Sequence, residues 1–434
     1  MSKLQELIDK LCPNGVEFKP LAEVFEMRNG YTPSKNNPDF WEGGTIPWFR
    51  MDDIRENGRI LSDSIQHITP SAIKGKGLFE ANSFILATTA TIGEHALIIA
   101  DSLANQRFTN LKVRKSLSNL LVTKFIYYYM FIVDDFCKRN TNVSGFASVD
   151  MDKLKKMPFP VPPIEVQEEI VRILDSFSDY AAELQAELQA ELQARKQQYE
   201  YYRNLLLTFN PSAYGCGTDD EQKDGVTTWG GHNYKIEWKK MGEIGTFIRG
   251  KRFVRTDIME QGVPCIHYGD MYTYYGLYTN NTPTFLKEEK AQKMRFAQKN
   301  DIVIVAAGEN KDDLGNAVAW LGEKPAAVHD ACFIFRSNLY PNYISHICRS
   351  HNYHKQIKMF ANEAKICSVS GQDLQKVLIP VPEYELQIKI ASILDRFETL
   401  VNDLTNGLPA EIAAVKDQYE YYRNKLLTFK KLTV

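Results

Sequence analysis

The chain of 434 residues repeats itself at a constant shift of 220 positions. Residues 147–209 return at 367–429 without insertion or deletion, and RKQQYEYYRNLLLTF (195–209) faces VKDQYEYYRNKLLTF (415–429) with 12 identities in 15 positions. The stretches VEFKPLAEV (16–24) and IEWKKMGEI (236–244) obey the same shift. Any fold must therefore accommodate two copies of one unit, each with a variable part followed by a repeated part.

Both repeated segments carry an apolar stripe with the three- and four-residue steps of one helix face. The first stripe comprises Ile170, Ile173, Phe177, Leu184, Leu188, Leu192, Tyr199, Tyr202 and Leu206, and the second Leu386, Ile390, Ile393, Phe397, Leu404, Leu408, Ile412, Tyr419, Tyr422 and Leu426. A helix of about 45 residues is roughly 65 Å long, more than one globular core needs. We predict that the two helices pair as an antiparallel coiled coil with pseudo-twofold symmetry.

One difference separates the two repeated segments. The first contains the tetrapeptide AELQ three times in succession (182–193), and the second has Asn406, Gly407, Leu408 and Pro409 at the equivalent place. Proline removes a backbone donor, so Pro409 predicts a kink or a break in the second helix. Since the two repeated segments nevertheless have the same number of residues, we expect that the spacing they set between the variable parts is what matters.

The variable parts are rich in glycine, aromatic and β-branched residues, with strand-like runs at 83–99 and 301–308. We interpret each as a compact α/β domain, which gives an α/β (α+β) protein in which two globular domains alternate with two long helices. The predicted boundaries are a first domain at 1–158, a first repeated helix at 159–209, a linker at 210–232, a second domain at 233–378 and a second repeated helix at 379–434.

Composition narrows the class of protein. The net charge of −2 gives no global reason to expect nucleic acid, yet residues 235–255 are locally basic. The seven cysteines form no CxxC pair, which favours a reducing compartment and neither a disulfide framework nor a structural zinc site. The first residues carry charges where a signal peptide is apolar, and no apolar run approaches 18 residues. We expect a cytoplasmic protein with no membrane association.

No catalytic or metal site is predicted. GTFIRGK (245–251) fits the spacing of a phosphate loop, but Arg252 stands where a serine or threonine would hold Mg²⁺. Asn37-Pro38-Asp39-Phe40 resembles a methyltransferase motif but lacks its second proline and a preceding glycine-rich cofactor loop. Neither half offers a Ser/His/Asp set or a carboxylate cluster with nuclease spacing. The sequence therefore favours a non-catalytic protein.

The organisation resembles the specificity subunit of bacterial type I restriction-modification enzymes. The residues that carry the resemblance are the PVP segments (160–162 and 380–382), the shared Q…I..ILD.F opening of both helices and the ending QYEYYRNxLLTF. YTPSKNNPDFWEGGTIPWFRMDDI (31–54) also resembles the start of many target recognition domains in that family. The resemblance covers essentially the whole chain.

The resemblance implies a non-catalytic DNA-recognition subunit. Each variable domain would read one half of a split DNA target, and the helices would set the spacing and bind two methyltransferase subunits. Those partners would use S-adenosylmethionine to methylate adenine, while restriction subunits would use ATP and Mg²⁺, so this chain itself would need no cofactor. Two alternatives stay open: a specificity subunit of a related system with a fused nuclease-methyltransferase, and a coiled-coil scaffold protein.

Physical constraints agree with that role. Two major-groove readers on one face of B-DNA must lie about one turn, roughly 34 Å, apart. Each AELQ unit adds about 6 Å of helix and about 40° of rotation, so the number of units can set the distance.

Candidate DNA contacts are side chains that can pair with base edges or hold phosphates. In the first domain they are Arg28, Asn29, Tyr31, Thr32, Ser34, Lys35, Arg50, Thr88, Thr89, Thr91, Asn105, Gln106 and Arg107. In the second domain they are Arg249, Lys251, Arg252, His267, Tyr268, Tyr272, Tyr274, Tyr275, Lys311, His329 and Asp330. The candidate partner-binding residues are Tyr199, Tyr201, Tyr202, Arg203, Tyr419, Tyr421, Tyr422 and Arg423, because they offer more aromatic surface than one helix seam can bury.

Overall fold

The computed structural model describes residues 2–75, 77–142, 147–209, 225–229, 231–362, 366–403 and 407–432. The chain forms two compact units. Unit 1 comprises Met1–Ala186 together with Ala413–Val434, and unit 2 comprises Glu187–Ile412. Each unit therefore joins one globular domain to the beginning of its own repeated helix and the end of the other.

Unit 1 begins with a helix and continues as a mixed α/β domain. Its strands are β1 (Glu17–Pro20), β2 (Phe25–Asn29), β3 (Ile46–Phe49), β4 (Ile60–Leu61), β5 (His67–Ile68), β6 (Ser83–Ala87), β7 (His95–Ile98), β8 (Leu103–Ala104), β9 (Phe108–Val113), β10 (Thr141–Asn142), β11 (Ser148–Val149) and β12 (Pro158–Val161). Its helices are α1 (Lys3–Leu11), α2 (Leu21–Val24), α3 (Met51–Asn57), α4 (Thr123–Arg139), α5 (Met151–Lys156) and the first part of α6 (Ile164–Thr208).

The main sheet of unit 1 has the order β2-β9-β6-β7-β4, and a smaller sheet has the order β5-β3-β8. Residues of the main sheet, α4 and the start of α6 share one apolar core that includes Phe25, Phe125 and Ile170. A second core around Phe49 and Phe108 lies between the two sheets. The predicted strand run 83–99 is thus confirmed as β6 and β7, with a turn between them.

Unit 2 repeats this plan with different side chains. Its strands are β13 (Gly225–Trp229), β14 (His232–Lys240), β15 (Gly245–Arg249), β16 (Ile258–Met259), β17 (Val263–Ile266), β18 (Tyr278–Thr279), β19 (Thr284–Leu286), β20 (Phe296–Ala297), β21 (Ile302–Val305), β22 (Ala307–Gly308), β23 (Ala317–Trp320), β24 (Ala326–Val328), β25 (Cys332–Ser337), β26 (Cys367–Ser368) and β27 (Leu378–Pro382). Its helices are α7 (Met241–Ile244), α8 (Asp270–Thr273), α9 (Glu288–Ala291), α10 (Pro341–Ile347), α11 (His351–Phe360), α12 (Gly371–Lys376) and α13 (Tyr384–Asn402), followed by α14 (Leu408–Leu426), most of which belongs to unit 1.

The main sheet of unit 2 has the order β15-β25-β21-β23-β18, which matches the main sheet of unit 1 strand by strand. The second sheet, β16-β19-β17-β24-β20, is larger than its counterpart in unit 1. The predicted linker (210–232) extends too far, because its last part forms strand. Residues 225–229 form β13, which pairs antiparallel with β14, because Val226, Thr227 and Thr228 favour strand. Residues 210–224 of the predicted linker lie outside the described residues.

The repeated helices pair in antiparallel fashion, and the same contact occurs in both units. In unit 1 the Phe177 and Tyr422 rings have centroids 6.1 Å apart. In unit 2 the equivalent Phe397 and Tyr202 rings have centroids 5.7 Å apart. The first helix is continuous over 45 residues. The second is interrupted between α13 and α14, as Pro409 predicts, with this proline in the first turn of α14, where its missing donor costs nothing. Leu404 of the predicted stripe lies outside the described residues.

A buried glutamine attaches each repeated helix to its globular domain. The Gln167 side chain donates to the carbonyl of Pro162 at 2.6 Å and accepts from the residue before α4 at 2.8 Å. The Gln387 side chain donates to the carbonyl of Pro382 at 2.8 Å and accepts from the residue before α10 at 2.9 Å. Both glutamines satisfy backbone groups that would otherwise be buried without a partner, which explains their equal spacing in the sequence.

Within the residues that the structure describes, no helix is both long enough and apolar enough to cross a membrane.

Candidate nucleic-acid interface

Both units place a glycine where the first strand of the main sheet ends. Gly30 follows β2 and donates its backbone N–H to the carbonyl of Phe108 at 2.9 Å, and Gly250 follows β15 and donates to Cys332 at 3.0 Å. A Cβ atom would lie 2.3 Å from a backbone carbonyl oxygen at Gly30 and 2.1 Å from one at Gly250. Any side chain would collide there, so this close approach of two backbones requires glycine at the same place in both copies.

Polar side chains gather around the glycine turn of unit 1. The Thr109 hydroxyl donates to Asn29 Oδ1 at 2.9 Å and lies 3.0 Å from the hydroxyl of Thr88. The Thr32 hydroxyl donates to Oε1 of Gln106. The structure therefore brings together candidate residues that lie 74 positions apart in the sequence.

The loop after β8 holds three neighbouring candidates. Asn105 Oδ1 accepts the backbone N–H of Arg107 at 2.9 Å, so the amide NH₂ is the group left for another partner. Gln106 and Arg107 are exposed. This loop offers a fixed amide donor, a second amide and a cation, the groups that can recognise base edges.

Other first-domain candidates stabilise the turn itself. The Tyr31 hydroxyl donates to the carbonyl of Ala72 at 3.0 Å and accepts the backbone N–H of Lys74 at 2.8 Å. The Arg28 guanidinium stacks 4.5 Å from the centroid of the Phe79 ring, and its burial lowers the pKa of Arg28.

The remaining first-domain candidates differ in exposure. Arg50 is half-buried, with Nη2 lying 3.8 Å from Oδ2 of Asp52. Thr88 is buried, Thr89 and Thr91 are half-buried, and Ser34 and Lys35 are exposed.

In unit 2 an aromatic cluster occupies the corresponding region. The His267 and His329 rings have centroids 5.0 Å apart, and Tyr268 lies 5.4 Å from His329. Nδ1 of His267 accepts a backbone N–H from Gly269, and Nδ1 of His329 accepts one from Ala331, both at 3.2 Å. Burial lowers the pKa of both histidines, which favours neutral rings that carry their proton on Nε2.

Asn105 and His329 occupy equivalent positions. Each follows the strand whose last carbonyl accepts a backbone N–H from the residue after the turn glycine, at 2.9 Å from Tyr31 and at 2.9 Å from Lys251. Each side chain accepts the backbone N–H two residues later. Asn105 and His329 thus fix their orientation with the same kind of local hydrogen bond. The two residues are no longer separated by the 220 positions of the repeat.

The other second-domain candidates differ in how far their side chains are exposed. Arg249 donates from Nε to the carbonyl of Asp330 at 3.1 Å, and Lys251 and Arg252 are exposed. Tyr272 and Tyr274 are exposed, whereas Tyr275 is only 8% exposed and donates to the Thr282 hydroxyl at 2.8 Å. Tyr275 therefore belongs to the core, in the same apolar cluster as Met271 and Trp320.

Lys311 is half-buried and begins the short turn that follows β22. Asp330 lies next to the cluster, with its carboxylate 3.2 Å from Nδ1 of His329.

Sequence reasoning missed a basic groove in unit 2. The groove has a volume of about 610 Å³ and is lined by Lys251, Arg252, Asp257, Lys287, Glu289, Lys290, Lys293 and Met294. Only Lys251 and Arg252 were predicted candidates. The signal was present in KEEKAQKMR (287–295), where lysines recur every three residues and four basic residues outnumber two acidic ones. Only the fold brings these lysines beside Lys251 and Arg252.

The predicted partner-binding residues divide into packed and exposed groups. Tyr199 and Arg423 are buried, and Arg423 stacks 4.0 Å from the centroid of the Phe131 ring. Tyr201 is 63% exposed and Tyr421 is 60% exposed.

The other four lie between these extremes: Tyr202 is 36% and Tyr422 38% exposed, and Arg203 and Tyr419 are half-buried. Tyr201 and Tyr421 are thus the members of the set with the largest free aromatic surface.

Among the described residues, no group of three or more histidine, cysteine, aspartate or glutamate side chains is placed to hold a metal ion.

Comparison with known proteins agrees with the repeat and the fold. The family described as the type I restriction modification DNA specificity domain matches residues 13–194 and 234–414. The type I restriction enzyme EcoprrI specificity subunit of Escherichia coli is 37% identical over 423 residues, which cover 96% of this chain and 94% of that protein. The EcoR124I/EcoR124II specificity subunit of Escherichia coli is 29% identical and covers 99% of this chain and 98% of that protein.

Solved structures show the same fold at low sequence identity. A chain from a structure on complex assembly and conformational transition of the type I R-M system has a TM-score of 0.67 at 14% identity, covering 96% of this chain and 98% of that chain. The HsdS subunit from Thermoanaerobacter tengcongensis has a TM-score of 0.53 at 14% identity, covering 96% of each.

Proposed function

Because this chain belongs to the family of type I restriction modification DNA specificity domains, we propose that it reads a two-part DNA target, one half with each unit. The repeated helices hold the two readers at a fixed separation. The chain supplies recognition and no chemistry. It binds double-stranded DNA as part of a complex with two methyltransferase subunits and, through them, restriction subunits.

The observation that carries this proposal is the shared glycine turn with different neighbours. The turn is the same in both units, but the residue before it is Asn29 in one and Arg249 in the other. The second residue after it is Thr32 in one and Arg252 in the other. A common frame with altered side chains suits two readers of different base sequences, because base-edge hydrogen bonds specify sequence and the frame only positions them.

Half-site reading is tested by mapping adenine methylation in cells that express the chain with its methyltransferase. Arg107→Ala should relax or weaken one half of the methylated sequence, and Arg252→Ala the other, by about 1–3 kcal/mol where the contact is a paired base edge. Lys324→Ala, at an exposed position before β24, is the matched control and should leave both halves unchanged. If both arginine variants weaken both halves equally, the assignment of one half-site to each unit is wrong.

The absence of chemistry in this chain is tested on the purified protein. We expect no methyl transfer with S-adenosylmethionine and no ATP hydrolysis with Mg²⁺ until the partner subunits are added, because those subunits carry both reactions. Methyl transfer by the chain alone would contradict the proposal.

The two methyltransferase subunits dock on equivalent surfaces that contain Tyr201 and Tyr421. Exposed tyrosines are frequent anchors of protein interfaces because a rigid ring buries much area at small entropic cost. Replacing both by alanine should lower the number of bound methyltransferase subunits from two in native mass spectrometry. Tyr180→Ala is the control, since Tyr180 is equally exposed on α6 at 65% but its position in the second repeat is Leu400. Two bound subunits in the double variant would exclude this surface.

A further inference from the structure

We propose that the basic groove of unit 2 is a clamp for the phosphates of the DNA backbone at the half-site that this unit reads. This inference rests on the proposed function and adds to it a phosphate-binding site in unit 2. The equivalent positions of unit 1 carry the uncharged residues Tyr31 and Thr32.

The charge of the groove is strongly one-sided. Five of its eight lining residues are basic, and two are acidic. Asp257 is already paired with Lys290 at 3.0 Å. Lys287 and Lys293 are exposed, as are Lys251 and Arg252 across the groove. A concave surface with this excess of cations attracts a polyanion, and lysine binds phosphate as a flexible point charge.

The groove lies directly beside the turn that carries the candidate base readers. The backbone N–H of Lys251 donates to the carbonyl of Val328, the residue before His329. Val328 in turn donates its backbone N–H to the carbonyl of Arg295 at 2.9 Å, and Arg295 donates from Nη1 to the carbonyl of Arg249 at 2.6 Å. These bonds fix the lysine-bearing segment 287–295 against the turn, so the groove lies beside the candidate base reader His329.

Unit 1 fills the same place with an uncharged side chain. Tyr31 stands at the position of Lys251, and its hydroxyl bonds to the segment after β5, at Ala72 and Lys74. Thr32 stands at the position of Arg252 and bonds to Gln106. The ammonium of Lys74 in this segment lies 6.0 Å from the centroid of the Phe40 ring. The Tyr31 ring of unit 1 thus occupies the position at which unit 2 has Lys251, one of the residues that line the basic groove.

Phosphate is the DNA group that fits this chemistry. Flexible ammonium groups carry little sequence information, whereas each phosphate that they neutralise releases counterions. The logarithm of the binding constant then falls with the logarithm of the salt concentration, by about 0.9 for each neutralised phosphate.

The test measures DNA binding by the complex of the full chain with its methyltransferase subunits between about 50 and 200 mM salt, with a duplex that carries the mapped target. The double variant K287Q/K293Q should reduce the salt slope by roughly 2, so that its affinity falls about tenfold less than that of the wild type over this range. Its preference for the target over duplexes with one altered half-site should stay unchanged. A charge-reversing variant, K287E/K293E, should lower the slope further.

The matched control is K299Q/K324Q, which removes two lysines of unit 2 that precede β21 and β24, at the ends of those strands away from His329. Its slope should equal that of the wild type. An unchanged slope in K287Q/K293Q would overturn the clamp. A loss of discrimination only at the half-site of unit 2 would also overturn it, because the lysines would then read bases. Failure of the wild-type complex to discriminate the target from altered duplexes would instead refute the proposed function.

Discussion

Tyr199 of the first repeated helix stacks on Phe397 of the second, with ring centroids 6.3 Å apart and planes 15° from parallel. Tyr202 stacks on the same phenylalanine, with ring centroids 5.7 Å apart. One ring thus joins two tyrosines of the repeated ending YEYYR, and both contacts lie inside unit 2. In unit 1 the equivalent Phe177 ring contacts Tyr422.

Phe397→Ala should lower the free energy of unfolding of unit 2 by about 1–2 kcal/mol, because it removes two aromatic contacts from a half-buried seam. The equivalent substitution in unit 1, Phe177→Ala, is the internal control. Phe177 is 42% exposed, so its loss should cost less. Urea unfolding followed by circular dichroism measures both, and equal losses would show that the second tyrosine contact contributes nothing.

Gly250→Ala should destabilise the turn that carries the second reader, because the new Cβ would lie 2.1 Å from the carbonyl oxygen of His329. We expect a loss of about 2 kcal/mol or more in stability and weakened recognition of one half-site. Gly276→Ala is the control, since no heavy atom lies within 4 Å of its Cβ position. If Gly250→Ala unfolds at the same urea concentration as the wild type, the close approach is not rigid.

Asn105→Asp should change reading by unit 1 only. An aspartate keeps the oxygen that accepts the backbone N–H of Arg107 but replaces the outward amide donor with a charged acceptor. Recognition of one half-site should therefore weaken by about 1–3 kcal/mol, or shift to a base that offers a donor. Methylation mapping measures the change, with Asn57→Asp at the exposed end of α3 as the control. An unaltered methylated sequence would exclude Asn105 as a reader.

Acidification should destabilise unit 2 through His354. Burial, helped by the nearby Arg349 cation, lowers the pKa of His354 from 6.5 to about 4. The folded state then binds fewer protons than the unfolded chain between these values. The stability that the neutral, buried His354 contributes is fully present above pH 6.5. It is lost as the pH falls toward 4, by about 1 kcal/mol per pH unit.

His354→Gln should remove this part of the pH dependence, so its free energy of unfolding should fall less steeply than that of the wild type between pH 6.5 and 4. His351→Gln, at an exposed neighbouring position, is the control. Identical slopes for His354→Gln and the wild type would show that His354 takes up its proton equally in both states.

Deleting one AELQ unit from 182–193 should shorten the unspecified spacer between the half-sites by one or two base pairs. The deletion removes about 6 Å of helix and about 40° of rotation while both readers stay intact. Adding one unit should lengthen the spacer correspondingly. Methylation mapping of both variants is the measurement, and half-sites kept at the original spacing would show that α6 does not set the distance.

Much of this protein follows from its sequence because repetition and periodicity are local signals. The 220-residue shift predicts two units, the apolar stripes predict α6 and its partner, and Pro409 predicts the break between α13 and α14. Gln167 and Gln387 were visible as repeated positions, but only the structure gives them their buried partners. The polar, turn-rich sequence before β13 predicts a linker, and only the pairing of β13 with β14 in the structure reveals a strand there.

Only the tertiary structure decides which candidate residues share a surface. The sequence indicates that Lys251 and Arg252 are basic, but the fold places Lys287 and Lys293 beside them through the pairing of β24 with β17 and β20. It also buries Tyr275 and engages Tyr31, two aromatic residues that the sequence alone does not distinguish from the exposed Tyr274. The physical reason is that helix periodicity arises from neighbours along the chain, whereas a recognition surface is assembled by strand pairing between distant segments, which depends on the whole core.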